Sequence, residues 1–162
     1  MAMSCDPQLL LADEPTTALD VTIQAQILDL ISDLKNKNKM SVILITHDLG
    51  VIAQTAQRIA VMYAGKIVES APADKIFVNP AHPYTKGLID SIPQAVSMKE
   101  NNVKEFLKTI PGTVPSLYDL SPGCRFYERC SFADEHCAHV EPPLEEIASN
   151  HFAACWKSAQ LS

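Results

Sequence analysis

Two short apolar runs constrain the fold of this chain more than any other feature. LLLA at residues 9–12 ends in Asp13, Glu14 and Pro15, and SVILIT at residues 41–46 ends in His47 and Asp48. Neither alternates polar with apolar side chains, and the second is rich in β-branched residues, as strands buried on both faces of a parallel sheet are. Parallel strands need a crossover between them, and the intervening segment supplies one. Ile23, Ile27, Ile31 and Leu34 recur at helical spacing, Asp29 and Asp33 fall off that stripe, and Asp20 or Thr22 stands where a helix cap belongs. DLGVIAQTA then reads as a second helix, and RIAVMYAGKIVES as two strands around an Ala64-Gly65 turn. This order predicts an α/β unit with a parallel sheet and a right-handed crossover. Ligands of such sheets collect at the carboxyl ends of the strands, where Asp13, Glu14 and His47 all fall.

Residues at those ends suit metal-assisted chemistry on a phosphate. Asp13 can hold Mg²⁺, the adjacent Glu14 can polarise an attacking water, and His47 can reach a terminal phosphate as a hydrogen-bond donor. Taken singly, each has a plainer reading: a solvated turn for Asp13 and Glu14, a helix cap for Asp20, a satisfied loop histidine for His47. Their meeting at adjacent strand ends is what favours the chemical reading.

A chain of 162 residues can bury one core, or a small core with an appendage. A formal net charge of −6 argues against a nucleic-acid partner, which clustered Lys and Arg would serve. No apolar run approaches the roughly 18 residues needed to span a bilayer, and MAMSCDPQ lacks the basic start and apolar core of a secretory leader. A cytoplasmic protein is expected, with reduced thiols. After Glu69, residues 73–78 and 85–92 read as short helices. From Pro93 onward prolines thicken and Cys124, Cys130, Cys137 and Cys155 appear. The expected domains are therefore residues 1–92, the α/β part, and residues 93–162, a loop-rich, cysteine-containing tail. The cysteine spacings lack the tight pairs of a zinc ribbon. Three readings stay open for the tail: a four-thiolate iron–sulfur cluster, zinc held by cysteines with His136, His139 or His151, and no metal at all. Cys5 reads as an ordinary small residue.

LLLADEPTTALD followed by ILITHD resembles the C-terminal half of an ABC transporter ATPase domain, a P-loop fold, and RIAVMYAGKIVESAP matches that family's closing strand pair. The resemblance implies ATP and Mg²⁺ as ligands. It makes Asp13 the Mg²⁺ residue of the Walker B strand, Glu14 the general base and His47 the sensor of the γ-phosphate. Asp20 would sit in a loop that crosses to a second ATP-binding subunit, in a homo- or heterodimer. NPAHPYTKGLIDSIP and IPGTVPSL, with the cysteines behind them, resemble the ATP-binding subunits of bacterial oligopeptide/dipeptide importers. That implies transmembrane permease partners, a place on the inner face of the cell membrane, and short peptides as cargo; some members carry what looks like a [4Fe–4S] site.

The family's phosphate cradle, G-x-x-x-x-G-K-[ST], and its LSGGQ-type signature do not occur in this sequence. Residues 1–4 read as the end of the helix that follows the signature, so the sequence reads as a C-terminal fragment. It is expected to bind ATP weakly on its own and to turn none over. The alternative reading is a non-catalytic module for metal binding or protein interaction.

Overall fold

The computed structural model describes Met3, residues 5–92 and residues 109–161. Of the helix end read over residues 1–4, only Met3 lies within them. The fold is mixed α/β, and its contacts divide it into two compact units, Met1–Ala56 and Gln57–Ser162. The boundary expected at residues 92 and 93 falls inside the second unit.

In the first unit β1 (Leu9–Asp13) and β2 (Ser41–Ile45) pair in parallel, from Leu9 beside Ser41 to Asp13 beside Ile45. The helix α1 (Val21–Asn38) forms the crossover. It starts because the Asp20 carboxylate accepts the Thr22 and Ile23 N–H groups, and it stops at Lys39 in the left-handed region. A second helix, α2 (Leu49–Thr55), is capped in the same way by Asp48, which also accepts from Gln24 of α1. With period two along each strand, Leu9, Leu11, Ile43 and Ile45 share one face, and all four are about half exposed or more. The apolar runs read as strands buried on both faces; among the described residues they form a sheet of two strands with one face open.

The second unit is built on an antiparallel sheet in the order β3 (Arg58–Tyr63), β4 (Lys66–Pro72), β6 (His151–Ala153), β5 (Glu145–Ala148). Ala64 and Gly65 both take positive φ, 45° and 81°, the two-residue turn whose twist suits a hairpin. Two short helices follow, α3 (Ala73–Val78) and α4 (Pro83–Asp90). The expected helix over residues 85–92 starts two residues earlier, because Pro83 fits the first helical position and the His82 side chain caps it. The tail departs from a plain loop. It adds a short helix, α5 (Glu135–His139), and β5 and β6, whose pairing with β4 places residues 145–153 in the same sheet as residues 58–72. Gly123 runs so close to α5 that an added Cβ would meet the Cys137 carbonyl oxygen at 2.3 Å.

Apolar packing here centres on Tyr63, Val68 and Phe126, with Tyr84, Ile110, Cys124 and Cys130 against them. The Tyr63 and Phe126 rings meet edge to face at 5.1 Å. Arg129 lies over both rings and donates to the carbonyls of Pro111 (2.7 Å) and Ile110 (3.3 Å), which fixes the IPG segment to the core. The polar counterpart is Glu69 on β4, fully buried. It accepts the backbone N–H of Ala81 at 2.7 Å and of His82 at 2.9 Å, and the His151 Nε2 lies 2.7 Å from it.

Two stability predictions follow from this buried polar group. Glu69→Ala leaves two backbone donors and a histidine buried without their acceptor. It is expected to lower unfolding free energy by about 3–5 kcal/mol, measured by urea titration of Trp156 fluorescence; a loss below about 1 kcal/mol refutes that role. Burial also pushes the His82 imidazole down from 6.5 to about 4. Between those values the unfolded chain binds a proton that the folded chain does not, so stability rises with pH across the interval and falls on acidification, by up to about 3 kcal/mol. His82→Asn keeps a capping acceptor and is expected to flatten this part of the stability curve relative to the wild-type protein, with urea midpoints at each pH as the readout.

Candidate functional site

The carboxyl ends of β1 and β2 deliver two of the expected residues to one place. Asp13 ends β1 and is paired in register with Ile45. The next residue, Glu14, donates its backbone N–H to the Ile45 carbonyl at 2.8 Å, which carries the parallel ladder one step past the strand. Glu14 then turns away with φ of 43°, in the left-handed region, a strained backbone for a residue with a Cβ. Two residues beyond β2, His47 stands with its Nδ1 2.9 Å from Glu14 Oε1. An ionised carboxylate only accepts, so Nδ1 carries the proton of this contact.

A third residue joins them that the sequence reading passed over. The Thr17 hydroxyl donates to Glu14 Oε2 at 2.7 Å. Its only sequence signal is position, three residues after an acid in a proline turn. These contacts set the charges. The Thr17 hydrogen bond, and after it the His47 hydrogen bond, holds the Glu14 carboxyl below its ordinary 4.5. The hydrogen bond to Glu14 raises His47 above 6.5. Both side chains face solvent, so the pair is open to a ligand and screened by water.

Asp13 is exposed at the strand end. Mg²⁺ is commonly held by one or two carboxylates together with substrate phosphates and water, so the chemistry of this single oxygen donor fits that ion. Asp20 is not brought to the Glu14–His47 pair; its carboxylate caps α1.

In the second unit Cys124, Cys130, Cys137 and Cys155 all line one cavity, together with His82 and Phe126. Burial raises the thiols of Cys124 and Cys130 above their ordinary value and pushes Cys155 up to about 11. Sharing a cavity is short of forming a ligand set. Among the described residues no three His, Cys, Asp or Glu side chains are arranged to hold a metal ion. The histidines considered for zinc are otherwise engaged where contacts are seen: His151 with Glu69, and His136 against the Trp156 ring at 4.9 Å. Lys157, which also lines the cavity, pairs with Asp134, and the Asp134 carboxylate caps α5 by accepting the Cys137 N–H. No helix among the described residues is long and apolar enough to cross a membrane.

Known proteins are similar in sequence to nearly the whole of this chain. Residues 68–137 match the family model of the oligopeptide/dipeptide transporter C-terminal region. A probable peptide ABC transporter ATP-binding protein of Sinorhizobium fredii is 53% identical over 161 residues, 99% of this chain and 47% of the relative. The dipeptide transport ATP-binding protein DppD of Haemophilus influenzae is 52% identical over 92% of this chain and 44% of its own length. The oligopeptide transport ATP-binding protein OppD of Bacillus subtilis is 50% identical over 96% and 42%. The chain thus spans about half the length of the curated relatives it matches. Residues 68–137 belong to the oligopeptide/dipeptide transporter C-terminal region family, and the chain as a whole is similar to part of the ABC transporter ATP-binding proteins of bacterial peptide import.

Proposed function

We propose that this chain contributes the water-activating side of an ATP hydrolysis site that energises import of short peptides. The observation that carries the reading is the Glu14–His47 pair at the ends of two adjacent parallel strands. Asp13 would hold Mg²⁺, which supplies charge neutralisation on the phosphates when bound. The Glu14 carboxylate takes a proton from the attacking water. Its contact with His47 favours the imidazolium, which donates from Nδ1 to Glu14 and keeps an N–H on Nε2 for a terminal phosphate oxygen. Asp20 lies in the loop assigned to contact with a second ATP-binding subunit, with its capping of α1 keeping that loop in place. The names of the relatives support ATP binding and peptide transport. The remainder of the reading, a peripheral protein on the cytoplasmic face of the membrane working with a second ATP-binding subunit and transmembrane permease subunits, is what the family resemblance implies. Nothing at the strand ends reads a peptide, so specificity belongs to other subunits.

In a full-length subunit carrying this sequence, Glu14→Gln keeps size and hydrogen bonding but loses basicity. It is expected to lower kcat by about 10²–10⁴-fold with ATP affinity within about threefold of wild type. Steady-state turnover and equilibrium nucleotide binding measure the two; near-normal turnover removes Glu14 as the base.

A second reading concerns the cysteine cavity. Four thiols on one cavity are the donor set of an iron–sulfur cluster, and their gathering supports a four-thiolate centre although the side chains do not form a closed ligand set. With thiols raised by burial, only a bound cation would favour the thiolates. Anaerobic purification is then expected to give a brown protein absorbing around 400 nm, bleached by Cys→Ser at any of Cys124, Cys130, Cys137 or Cys155. A colourless protein with about one zinc per chain substitutes zinc, and a colourless, metal-free one removes the centre.

A further inference from the structure

The turn after β1 holds the proposed base from a second side. The Glu14 carbonyl accepts the Thr17 N–H at 3.2 Å, and Pro15 occupies the second position of this turn, where its ring presets φ. Closing the turn folds the Thr17 side chain back over Glu14, so that its Oγ1 reaches Oε2 at 2.7 Å while His47 Nδ1 stands 2.9 Å from Oε1. The two partners therefore divide the carboxylate between them, one oxygen each. The turn does not need the hydroxyl for closure, because the backbone bond already closes it. What the hydroxyl adds is a second anchor, beside His47, for a side chain that is otherwise exposed. A catalytic group held in its reactive orientation before substrate arrives does not lose rotational freedom in the transition state.

We propose that Thr17 is a positioning residue for ATP hydrolysis: by anchoring Glu14 Oε2 its hydroxyl sets the carboxylate plane, and so aims the lone pair of Oε1 that His47 does not use at the proton of the attacking water. The inference rests on the general-base reading of Glu14. In the step it serves, the water oxygen forms a bond to the γ-phosphorus. The bond from that phosphorus to the oxygen bridging the β-phosphate breaks, its electron pair leaving with ADP, and the water proton moves to Oε1.

The test uses a full-length subunit carrying this sequence, with Thr17→Val, Thr17→Ser, Glu14→Gln and the Glu14→Gln/Thr17→Val double variant. Val keeps the branched shape and removes the hydroxyl; Ser keeps the hydroxyl. Thr17→Val is expected to lower kcat about tenfold with the KM for ATP within about twofold, the pattern of a group that acts only in the transition state. Thr17→Ser is expected to restore kcat to within about twofold of wild type, and the double variant to be no slower than Glu14→Gln, because Thr17 acts through that residue. Thr17→Ala, checked for native circular dichroism, is a second hydroxyl-free variant should Val disturb the turn. Unchanged kcat in both hydroxyl-free variants, a rise in KM alone, or a Ser variant as slow as Val overturns the proposal. A Glu14→Gln subunit that still hydrolyses ATP overturns the general-base reading itself; loss of turnover in Glu14→Gln with normal turnover in Thr17→Val overturns the Thr17 role alone.

Discussion

One buried carboxylate organises the second unit. Glu69 lies on β4 with no exposed surface, and its three partners come from the segment before α4 and from β6. A carboxylate removed from water is tolerated only when its lone pairs are met, so its burial and the placement of these segments are a single event. His82 is drawn to the centre of this arrangement, with its N–H given to Glu69, its ring capping α4 and its other side against the cysteine cavity. The AHPYT run thus has a physical basis: it supplies two backbone donors for a buried acid, a helix cap, and a proline at the first helical position.

In the first unit the controlling feature is smaller and local. A parallel pair of strands carries its ladder one residue past β1, and a proline turn then bends the chain back at once. Backbone geometry alone brings Glu14, Thr17 and His47 within hydrogen-bonding distance, with little burial to assist. The site is therefore held by directional contacts rather than by packing, and its residues stay open to water and ligand.

Legibility from sequence followed the range of the interactions. β1, β2, α1, the hairpin at Ala64-Gly65 and the placing of Glu14 and His47 at strand ends were readable because periodicity, caps and strand ends are encoded within a few residues; the hydrogen bond between the two was not. The start of α4 slipped because a histidine cap is an uncommon signal beside Ser or Asp. β5 and β6 were hidden: all four residues of β5 are exposed, so no buried stripe marks it, and the pairing of β6 with β4 joins residues about half the chain apart. Glu69 reads as an ordinary strand acid until partners 12 and 82 residues away are known. Thr17 was passed over for the opposite reason, since its contact is so short in range that it looks like part of a turn. The four cysteines line one cavity, yet a shared cavity does not itself make a coordination geometry.

The open face of β1 and β2 has a consequence for how the protein behaves in solution. Leu9, Leu11, Ile43 and Ile45 present an apolar patch to solvent. Hydration of such a patch becomes less favourable in sulfate or phosphate, whose ions are excluded from the surface, and more favourable in urea. Cooling weakens the drive to cover it, because that drive is largely entropic near room temperature. Choice of salt and temperature thereby sets how strongly this protein adheres to any apolar surface it meets, in a column, in a tube or in its own assembly.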